Sequence, residues 1–496
     1  MTTRILKVIL WGREVGRLCI DPHRHLPYFE YNREWIETGL DISPLDASII
    51  LPQNLRPIFG ASEKMYQKLP PFLADSLPDA WGNELFEQWR LQQGIKPGEI
   101  TPLDKLAFIG KRAMGALEFF PETSNFNPKE AINLKALIDL AEQIYTQREN
   151  ARIDPEQSLT MQALMAVGTS AGGRQPKAII AINRKTGEIR SGQVDSLKGF
   201  EHCILKFGIK ERSTAELEMT YYEMAKKAGI QMMPCWLMDV EGDKHFVTQR
   251  FDREGEKKLH MQTLAALYPG ADSYERLLWV CRKMRLSERD SEEVFRRMVF
   301  NVLANNTDDH NKNFSFLMDE QGHWSLSPAY DMTYIFNTGG FLPEMRHCLM
   351  IRGKYDGITL EDVMELAAEN GIRRAESVVR EVGKAILEFH ALAEQNGVKG
   401  QWISAVENTL NGNLESWGLT NAKASSTYLD TEGRKIENAR LEQQYKGNYH
   451  LFATIDGKER KYVIRKKTAK HDEISRTGIA NLPDGYLKEL VSKFLF

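Results

Sequence analysis

The stretch that most restricts what this chain can fold into is residues 306–316, NTDDHNKNFSF, where a dense polar cluster runs directly into an apolar alternation. The alternating residues predict a strand. A solvated loop before a strand needs less polarity than this, whereas a site that handles a metal ion and a reacting hydroxyl group needs carboxylate, amide and cationic side chains together. The rest of the sequence has to decide between these two interpretations.

The spacing of the polar residues favours the second interpretation. Asp308 and Asn313 are five residues apart, and Asp331 follows in AYDM, after two predicted strands around a turn. In protein kinases an aspartate and an asparagine at this spacing act as catalytic base and Mg²⁺ ligand, and a later aspartate also binds Mg²⁺. The pattern therefore predicts Asp308 as the base and Asn313 and Asp331 as metal ligands. We expect His310 and Lys312 to be structural or to face phosphate.

The upstream segments follow the order of an ATP-dependent phosphotransferase: a Gly-rich loop, a strand pair, a strand with a lysine, and a helix with acidic residues. Residues 167–177, VGTSAGGRQPK, offer three glycines and two hydroxyl groups before a strand. Glycines allow the backbone to approach phosphate closely, but the loop matches neither G-x-x-x-x-G-K-[ST] nor G-x-G-x-x-G. An ordinary hairpin loop is therefore the alternative.

Lys206 lies among apolar residues in CILKF, where a lysine is costly unless its ammonium group meets an anion. The alternative is a lysine at a strand end whose ammonium group reaches water. Glu218, on the helix predicted next, is the natural ion-pair partner. Glu216 and Glu223 compete for that role, and any of the three could instead lie on a solvated helix face.

Length and patterning predict several domains, because 496 residues with 42% hydrophobic content can form more than one core. We expect a β-rich N-terminal subdomain at 1–105, an α/β region with the Gly-rich loop at 106–255, a helical region with the catalytic loop at 256–405, and an accessory region at 406–496. In the last region Asp456-Gly457 predicts a hairpin turn. Its surroundings are basic, with 12 Lys or Arg against 6 Asp or Glu between residues 434 and 476.

Composition excludes several classes of protein. A formal net charge of −3 argues against a molecule that binds polyanions over its whole surface. Five scattered cysteines without a C-x-x-C pair argue against a disulfide framework or a structural zinc site, and favour a reducing cytoplasm. No signal peptide or long apolar run is recognisable, so we expect a cytoplasmic protein that does not enter a membrane.

The motifs TDDHNKNFSF and LSPAYDM, with the loop SAGGRQPKA and the linker TQRFDR, resemble those of the HipA-type toxin kinases of bacterial type II toxin–antitoxin systems. The resemblance covers roughly residues 5–385. It implies an α+β, bilobal protein-kinase-like fold, related to phosphoinositide kinases, with an N-terminal β-rich subdomain and a C-terminal α/β appendage. It also implies ATP and Mg²⁺ as cofactors and serine or threonine hydroxyl groups as acceptors.

The resemblance assigns roles residue by residue. Asp308 would be the base, with Lys206 and Asn313 as further catalytic residues, and Gln249 to Phe251 would meet adenine through their backbone. Gln249 stands where family members often carry an acidic residue, a change that backbone contacts tolerate. The residues implied to bind the nucleotide are Ser170, Gly172, Gly173, Lys177, Lys206, Gln249, Phe251, His310, Tyr330 and Asp331.

Ser170 matches the serine that these kinases autophosphorylate, and a phosphate there would place about two negative charges where the ATP phosphates must lie, which silences the enzyme. Without the resemblance, Ser170 would be interpreted as a loop serine that makes a turn hydrogen bond. The implied partners are a HipB-like DNA-binding antitoxin, operator DNA through that antitoxin, and a protein substrate such as an aminoacyl-tRNA synthetase.

Two other functions remain open from the sequence. The chain could be a catalytically silent co-repressor that binds the antitoxin at operator DNA, or a small-molecule kinase, since the same constellation serves sugar or lipid hydroxyl groups. The basic hairpin could contact tRNA or operator DNA, dock the antitoxin, cover an edge, or be a solvated face.

Overall fold

The alternation of apolar and charged residues at the start of the chain folds into a five-stranded antiparallel sheet of order β4-β3-β2-β1-β5. Leu6, Val8 and Leu10 point into its core and are fully buried. Trp11 and Gly12 both adopt positive φ, as a two-residue turn between right-twisted strands requires. The strands are β1 (Ile5–Leu10), β2 (Arg13–Ile20), β3 (Pro27–Tyr31), β4 (Ile58–Phe59) and β5 (Leu117–Phe120), and the helices beside them are α1 (Arg33–Glu37), α2 (Pro71–Ala74), α3 (Ala80–Gln92) and α4 (Pro102–Ile109).

The structure is a computed structural model that describes residues 3–96, 98–124, 133–147, 157–168, 175–192, 199–255, 257–336 and 344–419, together with the strands at 428–429, 435–444, 448–455 and 458–465. Two compact units divide the chain, Met1–Trp417 and Gly418–Phe496. Among the helices within these ranges, none combines the length and the apolar character that a membrane crossing needs.

A second antiparallel sheet, of order β7-β6-β8-β10-β9, carries the predicted lysine strand at its centre. Every residue of β6 is buried, and its side chains Ala178, Ile180 and Ile182 share a core with residues of α6. Trp81 and Leu85 of α3 share this sheet's core, so the N-terminal region and the sheet are packed together. The elements are α5 (Leu134–Gln147), α6 (Ser158–Gly168), β6 (Lys177–Ile182), β7 (Ile189–Ser191), β8 (Glu201–Lys206), α7 (Thr214–Lys227), β9 (Cys235–Val240) and β10 (Asp243–Gln249).

The rest of the first unit is mainly helical, with a small β13-β14-β15 sheet that supports the polar stretch. The elements are β11 (Arg253–Glu254), β12 (Lys257–Lys258), β13 (His260–Thr263), α8 (Leu264–Leu267), α9 (Tyr274–Lys283), α10 (Glu288–Leu303), β14 (Ser315–Met318), β15 (Trp324–Leu326), α11 (Leu360–Glu369), α12 (Ala375–Ile386), α13 (Phe389–Asn396) and α14 (Gly400–Ser416). Ser287 and Asp290 form a reciprocal capping box that starts α10, the helix leading into the polar stretch.

A buried ion cluster joins the linker after β10 to the N-terminal region. The fully buried Asp252 carboxylate accepts hydrogen bonds from Arg250 Nε at 2.8 Å, from Arg253 Nη1 at 2.8 Å and from the Gly115 backbone N–H at 2.6 Å. Gly115 has φ +75, a backbone conformation that favours glycine. A Cβ at this position would also lie only 2.9 Å from the Met261 backbone nitrogen, so a larger residue would not fit between the two segments. The linker is therefore fixed against the preceding module.

The second unit contains a four-stranded antiparallel sheet of order β16-β17-β18-β19. β18 and β19 pair from Asn448↔Arg465 to Ile455↔Lys458 around the predicted hairpin turn, whose Asp456 and Gly457 lie outside the described residues. The strands are β16 (Tyr428–Leu429), β17 (Lys435–Gln444), β18 (Asn448–Ile455) and β19 (Lys458–Arg465).

The predicted domain boundaries at 105/106 and 405/406 fall inside α4 and α14. Val406 and Leu410 of α14 are buried in the first unit, which continues to Trp417. A helix belongs to the unit against whose core its apolar face packs. Changes of composition along the chain do not show that packing, so they locate a domain boundary only approximately.

Candidate functional site

Lys206 occupies the last position of the central strand β8, between β6 and β10, and is only 6% exposed. Its ammonium group contacts the carboxylates of Glu218 on α7 and of Asp331 after β15. Burial alone would lower the pKa of Lys206, but the two carboxylates outweigh it and raise the pKa above its ordinary value. Three separate chain segments therefore meet at one lysine, whose charged form the two carboxylates favour.

Of the three acidic residues predicted to compete for Lys206, the structure selects Glu218. The Glu218 side chain faces the sheet and is 5% exposed. Glu223 instead accepts a hydrogen bond from the Asn396 amide at 2.8 Å, and Glu216 is half-buried elsewhere on the helix. The direction in which each side chain leaves the helix therefore decides which of the three meets Lys206.

Asp331 adopts a left-handed backbone with φ 58, a region that residues other than glycine rarely occupy. Its side chain is 30% exposed while one oxygen contacts Lys206. Burial would raise the pKa of Asp331, but Lys206 and Lys177 outweigh it and hold the pKa below its ordinary value. Backbone strain of this kind recurs at functional sites, and here it aims an ionised carboxylate at a cation.

The two adjacent aspartates of the polar stretch have different environments. Asp309 is buried, and its carboxylate accepts hydrogen bonds from the Tyr274 hydroxyl at 2.7 Å, from His347 Nδ1 at 2.9 Å and from the Cys348 backbone N–H at 2.8 Å. The Asp308 side chain, by contrast, is 55% exposed. Sequence reasoning assigned no role to Asp309, because nothing in DDH distinguishes the two residues. Asp309 fixes the loop, and Asp308 is presented to solvent.

Asn313 and His310, also in the polar stretch, both lie close to Asp308. The Asn313 amide donates to the Asp308 carbonyl oxygen at 2.7 Å and so closes the loop. His310 Nε2 lies 4.0 Å from Asp308 Oδ1. His310 therefore lies beside the predicted base, and its Nδ1 is buried with no hydrogen-bond partner among the described residues.

The residues predicted around the nucleotide base lie at the end of β10 and before Asp331. Gln249 is the last residue of β10, and the Phe251 ring lies 5.3 Å from the Tyr330 ring. The Tyr330 hydroxyl donates to the Lys312 carbonyl oxygen at 2.7 Å, which ties the segment before Asp331 to the polar stretch. Ser170, Gly172 and Gly173 lie outside the described residues.

A second lysine, Lys177, and a further aspartate, Asp79, extend the site. Lys177 pairs with Lys206 across β6 and β8 and is 2% exposed, and burial lowers its pKa. Asp79, which sequence reasoning missed, precedes α3, and burial raises its pKa to about 6. Its Oδ2 has no hydrogen-bond partner within the described part of the chain, and the charges of Lys177 and Lys312 act on it. The only sequence signal was a helix N-cap.

The donor set fits a divalent cation bound together with phosphates. Mg²⁺ sites at phosphates use one or two protein oxygens and complete their shell with phosphate and water. Asp331 offers an ionised carboxylate and Asn313 an amide oxygen, and no group of three metal-binding side chains occurs among the described residues. A metal held here would therefore depend on the nucleotide for most of its ligands.

Comparisons with known proteins identify the family models and relatives that this chain resembles. Residues 6–120 match the family model described as HipA N-terminal domain, and residues 169–389 match the one described as HipA-like C-terminal domain. A Sinorhizobium fredii protein named "Putative kinase Y4mE" is 25% identical over 356 residues, which are 67% of this chain and 77% of that protein. The serine/threonine-protein kinase toxin HipA of Shewanella oneidensis is 21% identical over 365 residues, 67% of this chain and 76% of the toxin.

A solved structure shows the same fold. The Shewanella oneidensis toxin–antitoxin complex of HipA, HipB and operator DNA contains a chain with a TM-score of 0.59 and 18% identity, and the alignment covers 83% of this chain and 97% of that one. This likeness confirms the predicted α+β, protein-kinase-like fold.

Proposed function

Since this chain belongs to the HipA family, we propose that it is an ATP- and Mg²⁺-dependent protein kinase that phosphorylates serine or threonine hydroxyl groups and acts as the toxin of a toxin–antitoxin pair. The observation that carries the proposal is the buried Lys206 held between Glu218 and Asp331. Phosphoryl transfer depends mainly on positioning and charge stabilisation, and this arrangement supplies both.

Each residue has a part in the proposed reaction. Lys206, oriented by Glu218, offers its ammonium group to the ATP phosphates. Asp308 accepts the proton of the acceptor hydroxyl, since its side chain is exposed and its backbone is fixed by Asn313. Asp331 and Asn313 would hold Mg²⁺, which when bound neutralises charge on the phosphates.

The nucleotide base is proposed to lie against the end of β10. Gln249 and Phe251 would meet adenine through their backbone, with Tyr330 beside them. Lys177 and His310 would face the phosphates, together with the loop that contains Gly172 and Gly173. Autophosphorylation at Ser170 in that loop would then block the phosphate position and silence the enzyme.

The partners are proposed from the relatives. The Shewanella HipA structure is a complex with HipB and operator DNA, and we propose that a HipB-like DNA-binding antitoxin restrains this chain and links it to operator DNA. A translation component such as an aminoacyl-tRNA synthetase is the proposed protein substrate.

The test is incorporation of label from [γ-³²P]ATP with Mg²⁺. We expect the wild type to label itself at Ser170 and Asp308→Ala to incorporate almost none. Glu320→Ala, which removes an exposed carboxylate from the β14–β15 turn, is the matched control and should behave as wild type. Equally low incorporation by the wild type and Asp308→Ala would refute the kinase and leave a catalytically silent binding protein.

A further inference from the structure

A cavity of about 460 Å³ opens beside the proposed catalytic base. Thr307 and Asp308 of the polar stretch line one side, and the other side is lined by Glu344, Arg346, His347, Cys348 and Tyr355. The Thr307 hydroxyl joins the two sides by donating to the Glu344 carbonyl oxygen at 3.2 Å, and the second side is braced internally because the His347 backbone N–H donates to the Tyr355 carbonyl oxygen at 2.8 Å. The cavity is therefore a preformed feature next to the acceptor position.

Arg346 presents the positive charge of this cavity. Its guanidinium lies over the Tyr355 ring, 4.5 Å from the centroid, and its backbone N–H donates to Glu344 Oε1 at 3.1 Å. The side chain is exposed, and it forms no ion pair with the described residues. Arg352, six residues later, by contrast contacts both Glu365 and Glu369. An aromatic ring thus orients Arg346, the cation of a cavity that is also lined by the carboxylates of Asp308 and Glu344, and its guanidinium is not engaged in an ion pair within the described residues.

We propose that Arg346 selects protein acceptors that carry an acidic side chain beside the phosphorylated serine or threonine, an inference that rests on the proposed kinase function. The acceptor hydroxyl must come within hydrogen-bond distance of the Asp308 carboxylate. Neighbouring residues of the acceptor segment then lie over the same cavity, where the guanidinium can bind a carboxylate through two parallel hydrogen bonds. Because Tyr355 already orients Arg346, little side-chain freedom is lost on binding.

The experiment uses three sets of serine peptides that differ only in the flanking residues: alanine, aspartate or lysine. For the wild type we expect kcat/KM to be about fivefold higher on the aspartate set than on the alanine set, the effect of one exposed ion pair. Arg346→Gln should remove this preference, and Arg346→Glu should reverse it toward the lysine set. Arg380→Glu makes the same charge change on the exposed face of α12 and should keep the wild-type preference.

The outcomes separate this inference from the proposed function. A Mg²⁺-dependent ATP stabilisation that is unchanged in Arg346→Gln shows that the nucleotide side is intact. A wild type that labels itself but phosphorylates all three peptide sets at the same rate, or none of them detectably, would overturn the proposed role of Arg346. The proposed kinase activity would not be affected by that result. A wild type that transfers no label at all would overturn the kinase proposal itself.

Discussion

The contact between Lys206, Glu218 and Asp331 predicts a specific pattern of stability losses. Lys206→Met leaves the Glu218 carboxylate, 5% exposed, without the ammonium group that it directly contacts, and breaking a buried pair in this way costs about 3–5 kcal/mol of the free energy of unfolding. Glu218→Gln costs less, about 1.5–3 kcal/mol, because Lys206 keeps Asp331 and only one charge-assisted hydrogen bond is weakened. In the double variant, Lys206→Met with Glu218→Gln, residue 218 carries no charge that lacks its partner. The decrease in its free energy of unfolding should therefore be smaller, by about 1–3 kcal/mol, than the sum of the decreases in the two single variants.

The assay is urea unfolding without nucleotide, followed by tryptophan fluorescence at pH 7.5. The carboxylates hold the pKa of Lys206 above its ordinary value of about 10.4, against the effect of burial, so the lysine stays charged at this pH. Lys210→Met, which removes an exposed partner of Asp243, is the control and should remain close to wild type. Losses that add to within about 0.5 kcal/mol, or a Lys206→Met loss no larger than that of the control, would refute the reasoning.

Three other predictions follow from the site and its support. ATP at 100 times its dissociation constant should stabilise the wild type by about 2.7 kcal/mol in the presence of Mg²⁺, and a thermal-shift assay should find this stabilisation lost in Asp331→Ala or after chelation. Asp309→Asn should lower the free energy of unfolding by about 1–3 kcal/mol and also reduce kinase activity, whereas Asp308→Asn should reduce activity with a smaller effect on urea unfolding. Asp252→Asn should destabilise the protein by about 3–5 kcal/mol at pH 7. Burial raises the pKa of Asp252, but the two neighbouring guanidinium groups outweigh burial and hold the pKa below its ordinary value. The stability that Asp252 contributes to the wild type is therefore present above its unfolded pKa of about 3.9 and is lost as the pH falls below that value. Unfolding curves at pH 3 to 7 should show a weaker acid dependence in the variant.

The sequence predicted those parts of the site that depend on order and spacing along the chain. Lys206 at the end of an apolar strand and Glu218 on the next helix follow from local periodicity, and the structure brings them into contact. Asp331 meets the same lysine from 125 residues away, which only the correspondence with kinase motifs suggested. Local pattern and motif order together were therefore enough to find the central ion network.

The sequence did not predict features that depend on side-chain direction or on packing between distant segments. Asp308 and Asp309 are chemically identical neighbours, and only the partners Tyr274 and His347, 35 and 38 residues away, decide which one turns inward. Asp79 enters the site because α3 packs on the second sheet, which no local pattern encodes. The helix α14 likewise joins the first unit through its buried face rather than through any change in composition.

The ion cluster at Asp252 has a consequence for how this molecule can move. A hinge at the connection after β10 would have to expose a carboxylate and two guanidinium groups that are almost wholly shielded from solvent. Bending there is therefore an expensive fluctuation, and the β-rich module should travel with the lysine-bearing sheet as one rigid block. If the chain binds a nucleotide as proposed, opening and closing around it would have to be accommodated in the helical region that follows residue 260.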